Sequence, residues 1–147
     1  MTLAARNVLV IGGGFSGMSA AIECAKLGAQ VDLVEIDPGW RNYGAGISLG
    51  GATLRAFRQL GILDAFLREG NAADGVLIHL PDGTPIGALP TPRIAGADIP
   101  GGGAILRPVL ARILAEATRA SGTDVRLGCT FSTIEQDADG VDVSFTD

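Results

Sequence analysis

Hydrophobic positions in the first third of the chain form two short runs separated by a helix-like stretch. Residues 8–11 are a continuous apolar run typical of a parallel strand buried on both faces, and residues 31–35, Val-Asp-Leu-Val-Glu, predict a second such strand. Residues 16–27 are rich in Ala, Met, Ile and Leu and predict a helix, which Gly28 ends. Strand, helix and strand predict a right-handed βαβ unit.

The remaining pattern predicts shorter elements separated by glycine- and proline-rich turns. In chain order they are a long loop over 36–50 with a short strand at 47–49, helices at 53–60 and 62–68, a strand at 76–80, a hairpin turn at 80–83, a Pro- and Gly-rich connection over 90–103, a helix from Pro108 to Ser121-Gly122, strands at 124–127, 130–135 and 141–145, and a turn at Asp139-Gly140.

Composition narrows the classes of protein that fit this pattern. The 147 residues are 47% apolar and 18% charged, which indicates one globular domain. The net charge of −5 and the scattered basic residues argue against a nucleic-acid or membrane-surface partner. Two distant cysteines and one histidine argue against a zinc site or a disulfide framework. Without a bilayer-length apolar run or a signal-peptide pattern, we expect a cytoplasmic protein.

The spacing Gly12-x-Gly14-x-x-Gly17 carries the clearest chemistry, because it follows a buried strand and opens a helix. In such a turn the first glycine allows the tight bend, the second lets a pyrophosphate approach the backbone, and the third lets helix and strand pack closely. The helix N-terminus then faces the phosphates with its partial positive charge. We count Phe15 and Ser16, inside the loop, with these glycines as cofactor-binding residues.

Two charged residues elsewhere in the sequence fit a dinucleotide bound at this turn. Glu35, at the end of the second strand, is placed to accept hydrogen bonds from the adenosine ribose and would repel a 2′-phosphate. Arg107 stands at the start of the helix at Pro108, where a cation opposes the helix dipole unless an anion lies nearby. Each of these assignments has an alternative: the glycine turn binds no ligand, Glu35 is a solvated acid at a strand end, and Arg107 is a surface arginine.

Other candidate residues are less specific. Trp40, Arg41 and Tyr43 follow Glu35 in the long loop and either line a nucleotide or serve as ordinary loop residues. His79 has no neighbouring ligand in sequence, so we interpret it as structural or solvent-facing. No Ser/His/Asp set or carboxylate pair stands out, and we assign no catalytic residue and no metal site.

Taken together, these residues resemble the N-terminal part of the flavoprotein aromatic hydroxylases, the single-component FAD-dependent monooxygenases typified by 4-hydroxybenzoate hydroxylase. The resemblance covers essentially the whole chain. It rests on residues 10–17, Glu35, 44–49, 53–61, 106–108 with Leu110, and the tail at 140–147. One departure is that Ile36 and Asp37 follow Glu35, where the family usually has Arg.

The resemblance implies a cofactor, FAD, and roles for single residues. Gly12, Gly14 and Gly17 would hold the pyrophosphate, Glu35 the adenosine ribose, Arg107 the flavin phosphate or ribityl region, and Arg41 the adenine side. It also implies that NAD(P)H reduces the flavin, that dioxygen adds to give a C4a-hydroperoxide, and that one oxygen atom passes to an aromatic or similar small molecule.

The expected fold class is α/β, a Rossmann-like FAD/NAD(P)-binding fold with a parallel sheet, a right-handed βαβ start, a C-terminal β-meander and a small inserted β-hairpin. We expect residues 1–72 and 101–147 to form the FAD-binding domain and 73–100 to belong to the substrate side. The family's later Gly-Asp motif and most of its substrate domain are not in this sequence, so we expect a fragment that does not turn over alone. A homo-oligomer is left open.

Two other functions stay open from the residues alone. One is a dinucleotide-binding module that takes the ADP moiety without redox chemistry. The other is an NAD-dependent dehydrogenase, against which the long loop after Glu35 and the inserted hairpin both count, because a nicotinamide-binding half would continue with further βα repeats.

Overall fold

The computed structural model describes residues 6–146. Its elements in chain order are β1 (Asn7–Ile11), α1 (Phe15–Lys26), β2 (Gln30–Glu35), β3 (Gly46–Gly50), α2 (Gly51–Leu60), α3 (Leu63–Glu69), β4 (Asn71–Ala73), β5 (Gly75–His79), β6 (Pro85–Pro90), β7 (Gly102–Leu106), α4 (Arg107–Ala120), β8 (Asp124–Leu127), β9 (Thr130–Gln136) and β10 (Val141–Thr146). The chain divides into two compact units, one running up to Asn42 and resuming at Leu114, the other Tyr43–Ile113.

The first unit is built on a parallel sheet of order β1-β2-β8. The strands β1 and β2 pair in parallel with Val10 opposite Leu33, as the sequence pattern predicts. The helix α1 connects them and buries Met18 and Ile22, while β2 buries Leu33 almost completely. Gly28 follows the helix in the left-handed conformation, with φ +88°. The predicted strand–helix–strand start and the α/β fold class are therefore confirmed.

The C-terminal strands divide between two sheets, which corrects the predicted β-meander. The strand β8 pairs in parallel with β2, so it extends the first sheet. Only β9 and β10 form an antiparallel hairpin, closed by the predicted turn, in which Asp137 N–H donates to the Gly140 carbonyl at 3.0 Å. The prediction of a meander was wrong because strand periodicity identifies a strand without identifying its partner.

The second unit contains an antiparallel sheet of order β3-β7-β4. Its helices α2 and α3 meet through Phe57 and Phe66, whose ring centroids lie 5.5 Å apart. The central strand β7 occupies residues predicted in part as an irregular connection. A Cβ at Gly103 would lie 2.6 Å from the Asn71 carbonyl oxygen, so a bare backbone is needed where β4 pairs with β7.

The predicted hairpin is present in this unit as β5 and β6. Gly83 N–H donates to the Leu80 carbonyl at 2.9 Å, which closes the turn, and Gly83 takes φ +88°. No helix among residues 6–146 combines the length and hydropathy that a membrane-crossing helix needs.

Candidate functional site

The glycine-rich segment forms the turn from β1 into α1. Gly12 takes φ +99°, a conformation that favours glycine, and its N–H donates to the Val34 carbonyl of β2 at 2.8 Å. Gly14 is the N-cap of α1, with extended φ −72° and ψ 180°. Its carbonyl accepts the helical hydrogen bond from Met18 N–H at 2.9 Å. The turn therefore lies at the carboxyl end of a parallel strand, where open α/β sheets bind ligands.

Gly17 and Gly14, the third and second glycines of the spacing, lack a side chain for different reasons. A Cβ at Gly17 would lie 1.9 Å from the Gly12 carbonyl oxygen, so close packing of helix on strand excludes any side chain. A Cβ at Gly14 would meet no atom within 4 Å, and Gly14 is exposed. Packing thus explains Gly17, while at Gly14 the open backbone is available to a ligand.

The N-terminus of α1 has the properties of an anion site. Gly14 supplies no side-chain cap, and the first turn contains no acidic residue. An α-helix leaves its first N–H groups without carbonyl partners inside the helix, and they carry the positive end of the helix dipole. Ser16 is exposed and Phe15 is half-buried in this turn. The arrangement favours a phosphate or carboxylate beside Gly14.

Glu35 lies next to the glycine turn and binds it. One carboxylate oxygen, Oε2, accepts the N–H of Gly13 at 2.7 Å, and Oε1 accepts the N–H of Asp37 at 2.8 Å. A carboxylate offers about four lone-pair sites, so these two bonds leave capacity for a further donor. The sequence pattern placed Glu35 at the strand end but did not show that it holds the turn.

Arg41 is held by Asp37 at the surface of the same unit. Its guanidinium donates to both Asp37 oxygens, with Nη2 2.9 Å from Oδ1 and Nε 3.1 Å from Oδ2, and its backbone N–H donates to Oδ2 at 2.9 Å. This side-chain pairing, helped by the backbone N–H groups of Arg41 and Gly39, holds the pKa of Asp37 far below its usual range. Arg41 therefore stiffens the segment that follows Glu35.

Trp40 contacts the glycine turn, which the sequence analysis did not predict. Its indole Nε1–H donates to the Gly13 carbonyl at 2.7 Å, and the Arg119 guanidinium carbon lies 5.0 Å from the ring centroid. A Cβ at Gly13 would lie 2.3 Å from Trp40 Nε1. The available signals were Gly13, a fourth glycine that the spacing does not require, and a tryptophan shortly after the strand-end acid.

Arg107 belongs to the other unit, as the exposed first residue of α4. Its backbone N–H donates to the Ala45 carbonyl at 2.9 Å. Gly44 takes φ +120°, and a Cβ there would lie 2.9 Å from Arg107 Cδ, so the loop before β3 leaves room for this side chain. Within its unit, Arg107 and the loop at 44–45 form one local arrangement.

The other sequence candidates lie apart from these contacts. His79 is exposed in β5 of the second unit. Cys24 and Cys129 are free thiols and half-buried. Among residues 6–146, no group of three His, Cys, Asp or Glu side chains has an arrangement that could hold a metal ion.

Comparison with known proteins decides what kind of domain carries this turn. The family model described as an FAD binding domain matches residues 5–147. The chain belongs to this family. The resemblance to flavoprotein aromatic hydroxylases is thereby confirmed, and FAD is the cofactor that the domain indicates.

This FAD binding domain has relatives among both curated proteins and solved structures. It is 29% identical to the protein YetM of Bacillus subtilis (strain 168) over 92% of this chain and 37% of that protein. It is 36% identical to 3-hydroxybenzoate 6-hydroxylase of Polaromonas naphthalenivorans (strain CJ2) over 57% of this chain and 21% of the enzyme. A solved tetrameric form of 2-methyl-3-hydroxypyridine-5-carboxylic acid oxygenase matches with a TM-score of 0.71 and 27% identity, covering 88% of this chain and 33% of that one.

The chain thus spans between about a fifth and a little over a third of the length of these relatives. Its described residues include the glycine-rich turn from β1 into α1.

Proposed function

We propose that this chain is the FAD-binding portion of a flavin-dependent monooxygenase that hydroxylates an aromatic or similar small molecule. The observation that carries the proposal is the uncovered backbone of Gly14 at an uncapped helix N-terminus, beside a carboxylate held on the neighbouring strand. The membership in the FAD binding domain family supports it, as does the similarity to a 3-hydroxybenzoate 6-hydroxylase.

The described residues of the first unit fit the adenosine diphosphate half of FAD. The backbone from Gly12 to Gly17, including Phe15 and Ser16, would receive the pyrophosphate, with Gly14 as its point of closest approach. Glu35 would accept the ribose hydroxyls through the lone pairs that Gly13 and Asp37 leave unused. Arg41, paired with Asp37, would flank the adenine side.

Arg107 would contact the flavin's phosphate or ribityl region. Support comes from the family resemblance and from its place at the start of α4, where a cation is favoured only beside an anion. We further propose that residues 73–100, which contain the hairpin, belong to the substrate side.

When bound, FAD would accept a hydride from NAD(P)H and activate dioxygen for transfer of one oxygen atom to the substrate. The residues described here bind and orient that cofactor. Electron donor, substrate and hydroxylation are proposed for the whole protein of which such a domain forms part.

A flavin titration tests the proposal. Purified protein mixed with FAD and freed of excess ligand should be yellow, with flavin absorption and quenched flavin fluorescence. Glu35→Ala should weaken FAD binding by at least about tenfold, because it removes a charged acceptor whose hydrogen bonds are worth about 1.5–3 kcal/mol. Gly14→Val should weaken it at least as much, because the new side chain would occupy the approach of the pyrophosphate.

The matched control is Gly87→Val, another substitution at a position where a Cβ meets nothing within 4 Å. It should leave the FAD affinity unchanged. A colourless protein that binds ADP and not FAD would instead favour the module without redox chemistry. A protein that binds neither ligand contradicts both functions.

A further inference from the structure

Both polar groups of the Gly13 backbone are bound, one by the last residue of β2 and the other by the segment that follows it. Its N–H donates to Glu35 Oε2, and its carbonyl accepts the indole N–H of Trp40, each at 2.7 Å. Gly13 is the one glycine of the run that the spacing for a dinucleotide turn does not require. Its bonds therefore point to a role that the motif itself does not explain.

These two bonds fix two successive peptide planes. In a trans peptide, the carbonyl of one residue and the N–H of the next lie in one plane and point in opposite directions. Glu35 fixes the plane between Gly12 and Gly13, and Trp40 fixes the plane between Gly13 and Gly14. Because the indole holds the Gly13 carbonyl, the Gly14 N–H of the same peptide group points away from Trp40.

Trp40 is itself held from several sides. It takes φ +45°, an unusual conformation for a bulky residue, and its backbone N–H donates to the Asp37 carbonyl at 3.0 Å. The three atoms nearest to a Cβ built on Gly13 all belong to its indole, and the Arg119 guanidinium covers the ring. Strained residues persist only where the surroundings hold them, and they cluster at ligand sites.

We propose that Trp40 is a positioning residue of the nucleotide site: its indole holds the Gly13 carbonyl so that the Gly14 N–H is already oriented for the diphosphate of the ligand. The inference rests on the proposed function, since it presumes that a nucleoside diphosphate group binds at this turn. Its own content is that binding strength depends on the indole N–H.

Calorimetric titration with ADP compares the wild-type protein with Trp40→Phe, which keeps an aromatic ring and removes the N–H donor. We expect Trp40→Phe to bind ADP about threefold to tenfold more weakly, the effect of one net hydrogen bond. The matched control is Arg119→Gln, which removes the cation over the ring and keeps the indole N–H; it should change affinity by less than about twofold. Wild-type affinity in Trp40→Phe would overturn the proposal.

A double-mutant cycle gives a second, independent measurement. Gly13→Ala should weaken ADP binding in the wild-type background, because its methyl group would lie 2.3 Å from Trp40 Nε1. In a Trp40→Ala background the same substitution should have little further effect, since the obstructing indole is gone. Equal effects of Gly13→Ala in both backgrounds would overturn the proposed coupling.

The ADP titrations also distinguish this proposal from the proposed function. Wild-type ADP affinity in Trp40→Phe overturns the role of Trp40 and leaves the nucleotide site standing. Absence of FAD and ADP binding by the wild-type protein overturns both.

Discussion

Substituting Gly17 by alanine tests whether the third glycine is required by packing. The new Cβ would lie 1.9 Å from the Gly12 carbonyl oxygen and 3.1 Å from the Gly12 carbonyl carbon. Carbon and oxygen atoms in contact lie about 3.3–3.6 Å apart, so the start of α1 must move from β1 by more than about 1 Å. The obstacle is backbone, which cannot turn aside as a flexible side chain can.

Overpacking a well-packed site costs about 1–3 kcal/mol, and a backbone obstacle places this substitution at the upper end, about 3 kcal/mol. For a chain of about 150 residues, each kcal/mol lowers the unfolding midpoint by about 2–4 °C. Gly17→Ala should therefore lower the midpoint by about 6–12 °C in thermal unfolding followed by circular dichroism without ligand.

Gly14→Ala is the matched control, three residues earlier. Its Cβ meets nothing within 4 Å, and φ −72° suits any residue. Stability should change by no more than about 1 kcal/mol, because alanine is a poorer N-cap than glycine but also restricts the unfolded chain. ADP affinity should fall about tenfold or more, because the methyl group occupies the approach of the phosphate. A wild-type midpoint for Gly17→Ala refutes the packing argument, and wild-type affinity for Gly14→Ala refutes the position of the phosphate.

Three further predictions concern the surroundings of this turn and the second unit. Glu35→Gln replaces one accepting oxygen by a donor, so it should destabilise the ligand-free protein by about 1.5–3 kcal/mol in urea unfolding; unchanged stability would contradict the two bonds of Glu35. The pKa of Asp37 is lowered from 3.8, chiefly by the Arg41 side chain, so the stabilisation from the charged form is present above about pH 4 and is lost as pH falls through the lower folded-state pKa. The difference in thermal unfolding midpoint between the wild-type protein and Asp37→Asn should therefore be equal at about pH 7 and pH 5 and should shrink below about pH 3. Gly101→Ala, whose Cβ would lie 2.1 Å from the Thr91 carbonyl oxygen, should destabilise the protein by about 1–3 kcal/mol, and a wild-type unfolding midpoint would contradict that contact.

Local sequence signals predicted the βαβ start of the first unit well, because strand, helix and turn there each follow from neighbouring residues. The observed ends of β1, α1 and β2 differ from the predicted ends by no more than one residue. Gly28 and Gly61 both take positive φ values after their helices, as glycine at a helix end usually does. Helix spacing and glycine stops are local properties, so they are readable without the fold.

The strands β4 and β7 were not predicted, because long-range contacts determine them. The central strand β7 begins with two glycines, which are poor strand formers. Its structure requires them: a Cβ at Gly102 would lie 3.0 Å from the Leu49 carbonyl oxygen, and one at Gly103 would lie 2.6 Å from that of Asn71. The close approach of two partner strands overrides propensity, and a single sequence does not show which strands approach.

The candidate site divides in the same way. The spacing predicted the turn and the acid, whose contacts to each other depend on the fold. The link between Trp40 and Gly13 joins residues 27 positions apart, and no sequence period connects them. A motif therefore locates a turn of this kind, while the segment after the next strand sets the orientation of its peptide groups.

Glu35 illustrates why binding data on the acid alone would be ambiguous. Its carboxylate already accepts two backbone N–H groups without a ligand, so removing it disturbs the turn and any ribose contact at once. Gly14 differs, because a methyl group there touches no other residue within 4 Å. Trp40 differs again, because its indole N–H acts on the turn through one carbonyl. Only the combination of these three positions separates the architecture of the turn from its contact with the cofactor.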